Sequence, residues 1–331
     1  MTIDTAAWLR RVTSDGGAPD LDRLEAAALY GAMLDGKMAD PEQAAILVAI
    51  ARKGESIGEA LGFLDALGPR TARLALPSNL PRPVVLPSYS GTVSGPNLTA
   101  LLALLLARYG VPVLVHGSAV PLGAGGGEAA RGAGTRDVRR VSTAEVLWEL
   151  GVEPARSPQD IEERLVRRRI AYAPIPVLSP GLARLLETRA RLGVSSPAHL
   201  LARIIAPYRG QAVRVVSVAD RAELARMREL VSATEADVML LVGTEGEPFA
   251  DPLRCPAIEI YRRGALARTI DADEAPIDPA PRLPVVFDAA ALGSWIEGAL
   301  AGSEPVPRPI LQQMGGLLEA VREPAPAVRV A

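Results

Sequence analysis

From residue 84 to residue 261, short runs of β-branched and aliphatic residues alternate with longer stretches of helical periodicity. That alternation constrains the fold more than any other feature of the chain. The candidate strands are 83–86, 111–115, 171–177, 213–218 and 238–242, with a weaker one at 258–261. Between them the spacing predicts helices over 98–108, 142–150, 158–169, 181–191, 197–205 and 220–231. Apolar strands separated by helices imply a mainly parallel sheet covered on both faces. In such sheets ligands sit beyond the carboxyl ends of the strands. At 331 residues the chain can bury a substantial core, and with 49% apolar but only 4% aromatic residues that core must be aliphatic.

The first 70 residues read differently. Residues 21–34 carry apolar side chains at helical spacing and stop at Asp35-Gly36. Asp40-Pro41 opens a second helix, with Asp40 as the expected cap, and that helix ends near Lys53-Gly54. Ser56 caps a third helix that runs to Leu67. Pro77, Pro81 and Pro83 follow, so a helical unit over 1–72 and an α/β unit over 73–331 are expected. Residues 119–136, with Gly125-Gly126-Gly127, read as a mobile surface loop, and Pro and Ala dominate from 270 to an expected frayed tail at 321–331.

The first strand leads into Pro87-Ser-Tyr-Ser-Gly-Thr-Val-Ser-Gly-Pro-Asn-Leu-Thr99, and Asn97 stands where a helix cap belongs. Small residues let backbone approach a ligand, and a helix start offers unpaired N–H groups. The stretch is therefore either a phosphate cradle or an ordinary strand-to-helix connection. Net charge is −2, which gives no global attraction to nucleic acid or anionic membranes. Cys255 is alone, so an internal disulfide is excluded and an inert thiol is expected. With only His116 and His199, histidine-rich metal chemistry is not expected either. The start of the chain lacks a signal-peptide apolar region and the greasiest run, 98–107, is too short to span a bilayer. A cytoplasmic protein with no membrane partner is the expectation.

Several of these stretches resemble the anthranilate phosphoribosyltransferase family of glycosyl transferases (family 3) over about residues 5–260. The helical stretch with Gln43-Ala-Ala, an apolar run and Arg52-Lys-Gly-Glu55 is similar to that family's dimerisation domain. The resemblance implies a small helical dimerisation domain joined to a larger nucleoside-phosphorylase-like α/β domain, with helices near 181–206 packing on the helical part. The family's Gly-Thr-Gly-Gly-Asp loop, which wraps the pyrophosphate of phosphoribosyl pyrophosphate, is here Ser88-Tyr89-Ser90-Gly91-Thr92. Its Asn-x-Ser-Thr is Asn97-Leu98-Thr99-Ala100, and its Lys-His-Gly-Asn is Val115-His116-Gly117-Ser118. The magnesium-binding Asp-Glu pair falls on Gly246-Glu247, leaving Glu247 as the one matching carboxylate, with Glu245 and Asp251 nearby. The arginine that contacts anthranilate matches Arg189.

These departures are similar to those of a YbiB-type branch, which implies a homodimeric nucleic-acid-binding paralogue outside tryptophan synthesis. The matching candidates for ligand or phosphate contact are Ser88, Tyr89, Ser90, Gly91, Thr92, Asn97, Thr99, His116, Gly117 and Arg189; no catalytic residue is assigned. Residues 181–214 hold six arginines against Glu187, and Arg184, Arg189, Arg191, Arg203 and Arg209 are the nucleic-acid candidates. Three readings stay open: a dimeric binder of DNA or RNA backbone, a transferase still using phosphoribosyl pyrophosphate with Mg²⁺ on Glu247, and a non-catalytic binder of a small phosphorylated ligand. His116 reads as a turn residue at a strand end or as a base, and Tyr89 as a stacking platform or a hinge filler.

Overall fold

The computed structural model describes residues 6, 7, 9, 10, 20–118, 140–192, 197–205, 207, 208, 212–284 and 288–322, without the side chains of 189, 190 and 192. The Gly-rich stretch 119–136 and residues 323–331 lie outside the described residues. Three helices come first: α1 (Arg23–Leu34), α2 (Asp40–Lys53) and α3 (Ile57–Leu67). Asp22 and Ser56 start α1 and α3 through reciprocal bonds with Glu25 and Glu59, which satisfy backbone N–H groups at each helix start. Asp40 is not a cap: it is the first residue of α2, and the Glu42 carboxylate accepts the Ala39 N–H instead. Buried Glu59 also accepts from Leu21 N (2.9 Å) and Lys53 Nζ (2.7 Å), tying the preceding segment and the end of α2 to α3. A side chain at Gly62 would place its Cβ 2.3 Å from the Arg23 carbonyl, so α1 and α3 cross in backbone contact.

Seven strands form one sheet in the order β3-β2-β1-β4-β5-β6-β7. They are β1 (Val84–Ser88), β2 (Val113–Gly117), β3 (Ile170–Pro174), β4 (Val213–Val218), β5 (Asp237–Val242), β6 (Ile258–Arg262) and β7 (Ala265–Ile270). The first five are parallel, and β6 and β7 add as an antiparallel hairpin. The helices after the bundle are α4 (Thr99–Arg108), α5 (Thr143–Glu149), α6 (Pro158–Arg168), α7 (Ile175–Leu178), α8 (Pro180–Leu192), α9 (Pro197–Ala202), α10 (Arg221–Ser232), α11 (Ala289–Ala301) and α12 (Arg308–Arg322).

One apolar layer joins the sheet to α4, α5, α11 and α12. A second gathers Leu29, Ile46 and Phe63 of the three-helix unit with Leu182, Leu185 and Leu201 of α8 and α9 and with Leu114 and Ala171 of the sheet. A third packs α10 on β4 and β5. The helical unit thus shares a core with the α/β part. Helix α4, Thr-Ala-Leu-Leu-Ala-Leu-Leu-Leu-Ala-Arg, is apolar nearly all round because it is enclosed nearly all round.

Three expected strands shift, and the shifts of the first two build the site. The first runs on to Ser88, and the second covers 113–117, which puts His116 and Gly117 inside a strand. That register exists because Gly117 has no Cβ; one would lie 1.8 Å from the Ser88 carbonyl oxygen. The third ends at Pro174, and α7 begins at Ile175, since Pro174 and Pro176 have no N–H to extend the ladder. Helices α11 and α12 fall where irregular Pro- and Ala-rich chain was expected, and β7 precedes that stretch at a place where no element was expected. Among the described residues no helix is long and apolar enough to cross a membrane.

Candidate functional site

Strand order reverses at β1, which lies between β2 and β4, and such a switch point opens a crevice at the carboxyl ends of the strands. Here the two flanking strands part early. β1 and β4 pair only at Val84–Val213 and Val85–Arg214. Into it, from the end of β5, comes the turn 243–247. Ser217 Oγ donates to the Gly246 carbonyl (2.6 Å) and Gly243 N to the Val218 carbonyl (3.0 Å), which fix the turn to β4. Gly243 is required there, since a Cβ would lie 1.9 Å from the Glu247 carbonyl oxygen.

The turn carries two carboxylates into the 88–94 loop. Glu247 is fully buried. Its Oε1 accepts from the backbone N–H groups of Ser90 (2.8 Å) and Gly91 (2.9 Å). Its Oε2 accepts from the hydroxyls of Thr99 and Thr143 (both 3.3 Å) and from Ser88 Oγ in a short contact. Glu245 takes the next amides along the loop: Val93 N (3.0 Å), Ser94 N (2.8 Å) and the Ser94 hydroxyl (2.7 Å). Arg140 Nη1 approaches it at 3.3 Å and also donates to the Gly91 carbonyl. Burial pushes the Glu245 carboxyl upward, but the Ser94 hydroxyl, the Ser94 and Val93 amides and Arg140 outweigh it and hold the group below its ordinary value.

Four backbone amides, four hydroxyls and a guanidinium therefore converge on two carboxylates of the same chain. A concavity of successive N–H groups is an anion site, and here the anions are Glu245 and Glu247. As arranged, this donor set does not fit Mg²⁺, which needs oxygen acceptors turned toward it, whereas both Glu247 oxygens are already hydrogen-bonded. Among the described residues no group of three acidic, His or Cys side chains is placed to hold a metal ion.

Of the residues expected from the sequence, Ser88, Ser90, Gly91 and Thr99 meet at Glu247. Asn97 stands one shell behind: its Oδ1 accepts from Thr99 N (3.2 Å) and Thr143 Oγ1 (3.1 Å), and its amide donates to the Val141 carbonyl. Helix α4 accordingly starts at Thr99, with Leu98 in the cap position. Thr92 exchanges backbone bonds with Val141 and closes the loop on itself through the Gly95 carbonyl. Gly117 serves packing, as described above. Tyr89 and His116 are buried and form a hydrogen-bonded pair, Oη to Nδ1 at 2.9 Å. Burial pushes His116 down to about 3, so at neutral pH it is an uncharged imidazole and a poor base. Burial, with Asp273 beside it, pushes the Cys255 thiol up to about 11, as suits an inert group.

The arginine candidates do not form one surface. Arg203 is buried, donating to the Ser217 carbonyl, Glu223 and His199 Nε2. Arg184 and Arg191 are exposed and line a cleft of about 360 Å³ with Asp40, Gln43 and Glu187. Arg209 and the Arg189 side chain lie outside the described residues. Sequence reasoning missed Thr143, Ser94 and the role of Arg140. The visible signal for Thr143 was Ser142-Thr-Ala-Glu145, a helix-start pattern that the structure realises.

Comparison with known proteins places this geometry. The family description "Glycosyl transferase family, helical bundle domain" matches residues 7–67. The protein YbiB of Escherichia coli K12 is 34% identical over 93% of this chain and 91% of its own length. An anthranilate phosphoribosyltransferase of Clavibacter michiganensis is 27% identical over 80% of this chain and 69% of its own. Among solved structures, the anthranilate phosphoribosyltransferase of Thermus thermophilus superposes with a TM-score of 0.69 at 22% identity, covering 96% of this chain and 89% of that one. The Saccharomyces cerevisiae enzyme in complex with phosphoribosyl pyrophosphate and Mg superposes with a TM-score of 0.70 at 11% identity, over 96% and 88% of the two chains. These last two share the fold.

Proposed function

The chain belongs to the anthranilate phosphoribosyltransferase-like family, glycosyl transferase family 3, and from that premise we propose that it has set phosphoribosyl transfer aside and acts as a homodimeric binder of DNA or RNA backbone. The observation that carries the first half is Glu247, buried and bonded to the Ser90 and Gly91 amides and to three hydroxyls. Transfer from phosphoribosyl pyrophosphate depends on stabilising the charge of the departing pyrophosphate. Here the donors suited to that task are engaged by two fixed negative charges. A third anion about 4 Å from one of them meets a repulsion of roughly 4 kcal/mol at an effective dielectric of 20. That is close to a thousandfold in affinity.

The nucleic-acid half rests on what the YbiB-type sequence resemblance implies and on the arginine surplus over 181–214, where Arg184 and Arg191 reach solvent on α8. Pairing of two copies through the N-terminal helices doubles that surface, and contacts to phosphates release counterions, so binding weakens steeply with salt. Arg184, Arg191, Arg189 and Arg209 are the proposed contacts; Arg203 braces β4 against α10 instead.

Fluorescence anisotropy with labelled single-stranded and duplex 20-mers tests the reading. Binding is expected at about 50 mM salt and a loss of at least tenfold by about 200 mM. No binding to either probe at the lower salt overturns it. Sedimentation should give twice the chain mass. Calorimetry with phosphoribosyl pyrophosphate and Mg²⁺ should give no heat at millimolar ligand, and saturable heat would restore the transferase reading.

A further inference from the structure

Away from the crevice, a second concavity of about 360 Å³ opens on the helical unit, between the turn that joins α1 to α2 and one face of α8. Backbone contacts fix its shape. A Cβ at Gly181 would lie 2.3 Å from the Leu34 carbonyl oxygen, so the start of α8 rests directly on the end of α1. Arg184 Nη2 donates to that same carbonyl (2.8 Å). The turn closes on itself through Gly36 N to the Met33 carbonyl (3.1 Å) and Lys37 N to the Ala32 carbonyl (2.9 Å). From α8, residues 184, 187, 188 and 191 follow one another along the cleft at helical spacing. Position 189, five residues on from Arg184, is turned about 140° away around the helix. The position matched to the family's anthranilate contact therefore belongs to another face of α8.

Both signs of charge line this cleft. Arg184 and Arg191 bring two guanidiniums, and Asp40 and Glu187 bring two carboxylates. All four are exposed, yet among the described residues none of them stands in an ion pair. Opposite charges that share one concavity without pairing leave both signs open to a ligand. A bare anion would meet two carboxylates along with the guanidiniums, and a bare cation the converse. A small zwitterion satisfies both. Gln43 is only 7% exposed, and its side-chain amide has no hydrogen-bond partner among the described residues. It offers an acceptor and two donors to whatever enters. Met38, 8% exposed, supplies an apolar wall beside it.

We propose that this cleft binds a free amino acid, its carboxylate held by Arg184 and Arg191, its ammonium by Asp40 and Glu187, and its remaining atoms by Gln43 and Met38. A planar guanidinium takes a carboxylate through two parallel bonds. An ammonium has three donors to satisfy, and two carboxylates with the Gln43 amide oxygen match them. The volume lies at the small end of ligand pockets, as suits such a molecule. Because α8 is seated on α1 by backbone contact, little has to be ordered on binding. The inference goes beyond the nucleic-acid reading and does not depend on it, since its ligand is small and carries both charges.

Thermal melting of the full chain with each standard amino acid in turn, at about 5 mM, tests this, with acetate, methylammonium and inorganic phosphate as probes of a single sign. At least one amino acid should raise the melting temperature by about 2 °C and give saturable heat in calorimetry, while the single-sign probes do neither. Arg191→Met and Glu187→Gln alter exposed residues of α8 and should each weaken that amino acid roughly tenfold or more, with the melting temperature of the free protein unchanged. Asp40→Asn, on a separate element, should give the same loss and serves if either α8 variant fails to fold. The proposal is overturned if no amino acid acts, or if binding survives in any of these variants. Acetate or phosphate that binds native protein, and binds Glu187→Gln more tightly, also overturns it and makes the cleft an anion site. The 20-mer titration is read separately: its failure on native protein leaves amino-acid binding standing, and failure of every amino acid leaves the 20-mer result standing.

Discussion

A methyl group at residue 117 would sit 1.8 Å from the Ser88 carbonyl oxygen, so one hydrogen-for-methyl difference decides where β2 ends and what faces the crevice. With Gly117 in the strand, His116 is carried into the interior, where Tyr89 meets its Nδ1. Burial lowers its pKa to about 3 against an ordinary 6.5, so the folded protein binds fewer protons than the unfolded chain between those values. Its contribution to stability is therefore complete above about pH 6.5 and is lost as pH falls toward 3. Between pH 7 and pH 5, native protein should lose about 2 kcal/mol more stability than His116→Gln, read from urea unfolding at both values. Equal losses would mean that the histidine titrates freely. The sequence offered His116 as turn or base, and neither role survives, because burial depends on a register that no local pattern around residues 111–117 fixes.

Elements were legible where the pattern was strong. Val213–Val218 and Asp237–Val242 are mostly β-branched or aliphatic and bounded by loops, and Ser56 announces a helix three residues before its glutamate. Strand β7 was not legible, because five of its six residues are exposed and it is held by one neighbour on the sheet edge. Helix α11 escaped because Ala-Ala-Ala-Leu-Gly-Ser gives little periodicity, and α12 because its Gly315-Gly316 pair reads as a breaker. Yet Gly316 is where the helix touches the sheet: a Cβ there would come within 3.0 Å of Ile270 and 3.1 Å of Met239. From α12 the buried Gln313 reaches the chain just past Glu247, accepting from Ala250 N (2.9 Å) and donating to the Pro248 carbonyl (3.0 Å). Gln313→Leu strands both backbone groups in an apolar layer, and a destabilisation of about 3 kcal/mol is expected in chemical denaturation. A change near zero would show that water reaches them.

At the scale of the whole molecule, the helical bundle and the sheet are joined by one apolar cluster that runs from Phe63 through Leu182 to Leu114. Two units that share a core lose it together. Calorimetric unfolding should therefore show a single transition with equal calorimetric and van't Hoff enthalpies, rather than a separate early melting of residues 20–70. Two resolved peaks would count against the shared core. The site was half legible at this scale. The loop from Ser88 to Thr99 was named because its small residues and helix start are local features, and Glu247 was named for a metal. That Glu247 would bind the loop itself could not be read, since the two are far apart in sequence and meet only because β4 and β5 intervene in the sheet.

The sparse pairing of β1 with β4 gives the sheet an unusual division of labour. Three strands on one side and four on the other are laddered along their lengths, with one bulge between β6 and β7, whereas the seam between them holds two register pairs and then parts. Past Arg214 it is side chains and a turn that rivet the two panels: Ser217 and Val218 hold the turn from one side, while Ser88, Ser90 and Gly91 hold Glu247 from the other. A carboxylate thus does the work of backbone cross-links, joining the two panels without belonging to either ladder.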